Sequence, residues 1–216
     1  MNRILREAGL LAVRETPVGE VLDTTASRAF AVADHQVAHV YARDGQAEAA
    51  AREALEGCAG IEHLLDRDQQ SAFGIDHERS GELVAVAERG AWFTYYYWLD
   101  DANAPDFAPT VDIHRKPGYD PCELFVDPDL SAPMLRVARR LAQKKLGMRY
   151  LMDVIPLDAQ LVGGSHGRLP DDPRDGPVFL CSRGFEHCGG EPGGDAVEMT
   201  SIPDRVLALL GRAASD

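Results

Sequence analysis

Ala29-Phe30-Ala31-Val32-Ala33-Asp34-His35 runs five apolar residues into a carboxylate and an imidazole. A short apolar run that stops at polar residues reads as a buried strand, so a strand is predicted over 28–33, ending at Asp34. Successive side chains on a strand point to opposite faces, and Asp34 and His35 can therefore share one ion only if the chain turns there. Far downstream, Gly163-Gly164-Ser165-His166-Gly167 sets a further histidine among glycines. A carboxylate and an imidazole at the carboxyl end of a strand, with an imidazole on a glycine loop, are donors that suit a divalent metal. The plainer reading is a capping aspartate, a surface histidine and a flexible turn.

Three stretches occur in order: Ala31-Val32-Ala33-Asp34-His35, Asp112-Ile113-His114-Arg115-Lys116-Pro117-Gly118-Tyr119-Asp120-Pro121, and Gly164-Ser165-His166-Gly167. Together they resemble the type I phosphodiesterase/nucleotide pyrophosphatase branch of the alkaline phosphatase superfamily. The resemblance spans essentially the whole chain but corresponds to the C-terminal half of that family's enzymes. It implies an α/β fold with an alkaline-phosphatase-like three-layer core and a mostly parallel sheet, incomplete here. Residues 1–35 and 101–216 would build that core, and residues 36–100 an inserted small α+β cap subdomain. Enzymes of this branch hold two zinc ions. One is bound by an early Asp, a Thr or Ser nucleophile and an Asp-His pair; the other by an Asp-x-x-x-His motif and a late histidine. By resemblance, Asp34 and His35 match the Asp-His pair and His166 the late histidine. Asp112, His114 and Lys116 alternate along the middle block, so on an extended segment they would share one face and reach a ligand histidine or a phosphate.

The rest of such a site is missing. The residues four positions before the seven histidines are Ala31, His35, Ala59, Phe73, Thr110, Val162 and Arg183, so no Asp-x-x-x-His exists. The chain reaches Asp34 after a helix-like opening, without the strand and nucleophile that would precede it in the family. No catalytic nucleophile is assigned. The expected reading is thus the C-terminal portion of a metal-dependent phosphate-ester hydrolase, a truncated product or half of a split enzyme, inactive without a complementing N-terminal half. Its two divalent metals, zinc by resemblance, would be only partly liganded here. The rival is a non-catalytic binding protein that retains the scaffold, and a related sulfatase or phosphonate hydrolase is a further alternative within the enzyme class.

Composition narrows the partners. At 216 residues and 45% hydrophobic content the chain can bury a real core. Its net charge of -13 and pI near 4.9 disfavour a nucleic-acid backbone or an anionic membrane as main partner, and the small phosphate ester is the partner that the resemblance implies. No apolar stretch approaches the roughly 20 residues of a membrane span, and the expected location is cytoplasmic. Cys58, Cys122, Cys181 and Cys188 show no paired spacing; Cys181, His187 and Cys188 offer chelating atoms, with reduced bystander thiols the plainer reading.

Further elements are expected as a helix over 3–8 ended by Gly9, strands over 10–13, 37–41 and 81–87, and helices over 47–55, 134–146 and 206–210. The segment 150–155 also reads as a strand. Trp92, Phe93, Tyr95, Tyr96, Tyr97 and Trp98 are expected in the core, with base or aryl stacking the alternative. His39 sits four residues after His35, but along a strand that spacing is about 13 Å, so a structural role is favoured. Pro117, Gly118 and Pro121 are expected to shape a rigid turn.

Overall fold

From its first turn the chain wraps the strand that carries Asp34. Helix α1 (Asn2–Glu7) closes at Gly9, whose φ of 70° is open to glycine without the steric cost other residues meet. Leu10 and Leu11 follow as buried irregular chain. The strand comes later than expected: β1 (Val13–Thr16) and β2 (Gly19–Leu22) form a hairpin of their own. Next come β3 (Ala29–Asp34), β4 (Val37–Ala42), α2 (Gly45–Leu55), β5 (Ile61–Leu65), α3 (Arg67–Ala72), β6 (Leu83–Ala87) and the two-residue β7 (Gly118–Tyr119). Helix α4 (Pro133–Lys145) and helix α5 (Ile202–Leu209) complete the α-helices and strands among the described residues. The computed structural model describes residues 1–112, 114–182 and 197–211.

Five strands form one sheet in the order β5-β6-β4-β3-β7. Pairings β3–β4, β4–β6 and β5–β6 are antiparallel, and only β3–β7 is parallel. The mostly parallel sheet implied by resemblance is therefore corrected to a mixed, mainly antiparallel one. The cause is local: two residues link β3 to β4, and a connection that short can only fold the chain back on itself. The same pairing overturns the separate cap expected for 36–100, because β4 and β6 continue the sheet of β3. By its internal contacts the chain divides instead into Met1–Arg168 and Leu169–Asp216. The second unit holds a short turn at Pro173–Asp175, the turn Met199–Ser201 and α5.

Helices α1 and α2 pack on the sheet through Leu5, Ala51 and Leu55, against Ala29, Ala31, Val40 and Leu83. Alanines on β3 let a helix approach closely. Aspartates cap α2 and α3: Asp44 accepts from the Ala47 amide, and Asp66 forms a full capping box with Gln69. Strand β6 is buried along its whole length; on its second face Val84 and Val86 lie beside their cross-strand partners Leu65 and Val37, and Ile75 packs against this cluster. The aromatic run crosses the core as irregular chain, with Tyr95, Tyr97 and Trp98 fully buried and Tyr95 edge-on to Trp98. Residues 150–155 make only an isolated bridge, Thr110 with Asp153, where a strand was expected.

Asn2 supports the free edge of β3. Its amide nitrogen donates to the carbonyls of Ala31 (2.8 Å) and Tyr95 (3.2 Å), and its oxygen accepts from the Ala31 amide (2.7 Å). One buried side chain thus does for Ala31 what a neighbouring strand would. Replacing Asn2 with Ala should cost about 2–4 kcal/mol, since these backbone groups are left dry and unpaired. Urea unfolding checks it: the midpoint should fall with the slope unchanged.

Candidate functional site

The turn after Asp34 is made by His35 and Gln36 alone. His35 adopts φ 55°, a left-handed conformation that histidine enters more readily than most residues. Four contacts hold the turn. The His35 carbonyl accepts from the Phe93 amide (2.7 Å) and the Gln36 carbonyl from Ala87 (2.8 Å). The Gln36 side chain donates to the Ala91 carbonyl (3.0 Å), and its backbone amide donates to the carbonyl of His166 (3.0 Å). The last bond brings the glycine loop onto the turn. Gly167 sits at φ 118° against Val37, and a Cβ there would meet the Val37 side chain at 3.3 Å.

Side chains follow the backbone. The Nδ1 atom of His35 lies 2.8 Å from the Ser165 hydroxyl, and the rings of His35 and His166 are 3.9 Å apart between centroids. Tyr119 stacks on His35 at 5.0 Å. With Nδ1 engaged by Ser165, Nε2 of His35 is the ring nitrogen left toward Asp34, whose Oδ1 is 3.9 Å away. His35 is buried, whereas the Asp34 side chain is 72% exposed. An open cleft of about 750 Å³ is lined by Asp34, His35, Tyr119 and the segments 124–125 and 162–166. Burial, then the neighbouring His166, hold the His35 pKa below the usual imidazole value, while Asp34 opposes them.

Tyr119 reaches this place through β7, which pairs Gly118 with Ala33 and Tyr119 with Asp34. Gly118 is required: φ is 141°, and a Cβ would lie 2.5 Å from the Ala33 carbonyl oxygen. Behind it, the fully buried Lys116 ammonium lies 2.6 Å from Glu123 and 3.6 Å from Asp120, within ion-pairing distance though poorly aligned for hydrogen bonds. Asp120 in turn accepts from the Cys122 amide (3.0 Å). Burial pushes the Cys122 thiol up to about 12, which makes it an inert core group.

Of the residues expected at a site, Asp34, His35 and His166 come together. Asp112, His114 and Lys116 do not join them, and none lines the cleft. The segment is a series of turns rather than extended chain, so alternation does not put the three on one face. Asp112 faces Arg115 at 4.0 Å, His114 is exposed, and Lys116 is sealed in its ion cluster. Ile113, His187 and Cys188 lie outside the described residues. Ser165, Tyr119 and Gln36 were not singled out in the sequence. The first two sit inside the Gly-Ser-His and Pro-Gly-Tyr-Asp-Pro stretches, whereas Gln36 gives no signal beyond adjacency.

A family model described as type I phosphodiesterase / nucleotide pyrophosphatase matches residues 1–120. The chain belongs to that family. Membership brings a relationship to phosphate-ester hydrolases, carried by the stretch that includes Asp34, His35 and Tyr119; His166 lies beyond the matched residues. No curated protein and no solved structure matches the chain. Among the described residues, no three His, Cys, Asp or Glu side chains gather closely enough to hold a metal ion. The donor types at the turn suit zinc, but their number and spacing fall short of a closed site. Among the described residues no helix is long and apolar enough to cross a membrane.

The lowered His35 pKa has a direct test in metal-free protein. Imidazole resonances should show His35 protonating below the ordinary value of about 6.5. The folded state then binds this proton more weakly than the unfolded state. Its contribution to stability is full above the ordinary value and is lost as pH falls through the folded one. A His35→Asn variant tolerates the left-handed turn but cannot titrate, so its stability should fall less steeply on the acid side.

Proposed function

We propose that this chain is the C-terminal portion of a metal-dependent phosphodiesterase/nucleotide pyrophosphatase-like hydrolase, contributing Asp34, His35 and His166 to a two-metal centre. The observation that supports it is the 3.9 Å approach of the His35 and His166 rings across 130 residues, on a loop pinned to the turn by its own backbone. Asp34 and His35 would serve one ion and His166 the other. Ser165 would fix the His35 ring through Nδ1, the outer hydrogen bond that keeps a ligand histidine in one tautomer. Two divalent ions, zinc by resemblance, would activate a nucleophile and neutralise charge on a small phosphate ester when bound.

The nucleophile and the other ligands would come from polypeptide other than these residues, so the chain by itself is inactive. A cytoplasmic setting accords with the free thiols of Cys58 and Cys122. The rival reading, a scaffold that binds without catalysis, has one observation in its favour: the incomplete ligand set among the described residues.

Calorimetry and a bis-p-nitrophenyl phosphate assay separate them. The pure chain should bind zinc weakly and hydrolyse the ester no faster than zinc in buffer. Addition of a polypeptide supplying the family's nucleophile and Asp-x-x-x-His should produce chelator-sensitive turnover, abolished by Asp34→Ala or His166→Ala. Turnover by the chain alone, lost on chelation, would refute the incomplete-site reading, and none under any addition would favour the scaffold.

A further inference from the structure

Helix α4 is inside out. Over its 13 residues none is buried. Arg140 grips Asp153 with both fork nitrogens (2.7 and 2.6 Å), Arg136 reaches the same carboxylate at 3.2 Å, and Gln143 accepts from Arg140. Residues 136, 140 and 143 share one face of a 3.6-residue helix, so the protein is met by the polar side. The opposite face carries Met134, Leu135, Leu141 and, just past the end, Leu146, between 50% and 76% exposed. Four large apolar side chains on one stripe form a patch of the kind that marks an interaction surface.

Charge says what fits there. The helix holds five basic residues and no acidic one, and exposed Arg139 and Lys144 flank the stripe with Lys145 at its end. Two such helices packed face to face would oppose like charges, which disfavours a symmetric second copy. A chain with net charge -13 is also poorly suited to an anionic bilayer. The patch is tied to the candidate site as well. Exposed Leu124 lines the cleft, Val126 beyond it is exposed, and the next amide, that of Asp127, donates to the Val154 carbonyl (2.8 Å), adjacent to the Asp153 that anchors α4.

We propose that the outward face of α4, with Leu124 and Val126, is the docking surface for the polypeptide that completes the site, and that this partner presents an apolar strip bordered by Asp and Glu. This inference rests on the functional reading above. The probe is the amino-terminal half of an intact enzyme of the same family, chosen for such a strip, carrying the nucleophile and Asp-x-x-x-His and ending before its own Asp-His pair.

The full chain and two variants, Leu135→Glu/Leu141→Glu and Arg139→Glu/Lys145→Glu, are titrated with the probe by calorimetry, folding being checked by circular dichroism. Each variant should weaken binding by about tenfold or more, and added salt should weaken the unaltered pair. Binding without hydrolysis would sustain the docking surface and count against the functional reading. Hydrolysis restored equally in all three chains would do the reverse. No binding, self-association lost in Leu135→Glu/Leu141→Glu, or adsorption to phosphatidylserine vesicles would each overturn the proposal, the last two in favour of a second copy or a membrane.

Discussion

Reversal of the chain within two residues, His35 and Gln36, is the constraint on which everything else hangs. It sets β4 antiparallel to β3, and through β4 fixes β6 and β5. Its polar groups are spoken for by residues 87, 91, 93 and 166, so two distant stretches, 87–93 and the histidine loop, are registered against one turn. A left-handed histidine costs some backbone energy. Such strain persists where the surroundings over-determine it, and here they do.

The free edge of β3 is held by two unlike devices. Near its middle, a single buried asparagine satisfies Ala31 from the side away from β4. At its carboxyl end, two residues of β7 suffice because Gly118 lets the backbones meet and the Lys116 cluster holds the following turn in place. Tyr119 is thereby laid on the His35 ring without belonging to a long strand. Lys116 thus acts on the cleft only by holding the wall from behind.

Local patterns carried much of this into the sequence. The apolar run ending at Asp34, the alanine-rich helix α2 and the Gly9 stop are each legible because strand alternation, helix propensity and left-handed glycine are properties of a few adjacent residues. Long-range pairing was not. Nothing near Gln36 announces that it bonds to His166, and a resemblance to parallel-sheet enzymes could not foresee a two-residue turn. Alternation at 112, 114 and 116 misled for a different reason. Period two means a shared face only on extended chain, and the turn at residues 114–117 breaks it before Gly118 enters β7. That His35 and His166 meet was readable only through motif order, since neither spacing nor periodicity links residues so distant.

The bond from Gln36 to His166 also has a bearing on time. Hairpins close within microseconds, and β3, β4 and β6 can pair as soon as residue 87 exists. Contacts between residues 130 apart must wait for the intervening chain and offset a larger loop-closure entropy. During synthesis the sheet therefore precedes the cleft. The histidine loop is the last part of this unit to settle, and the first whose loss leaves the sheet standing.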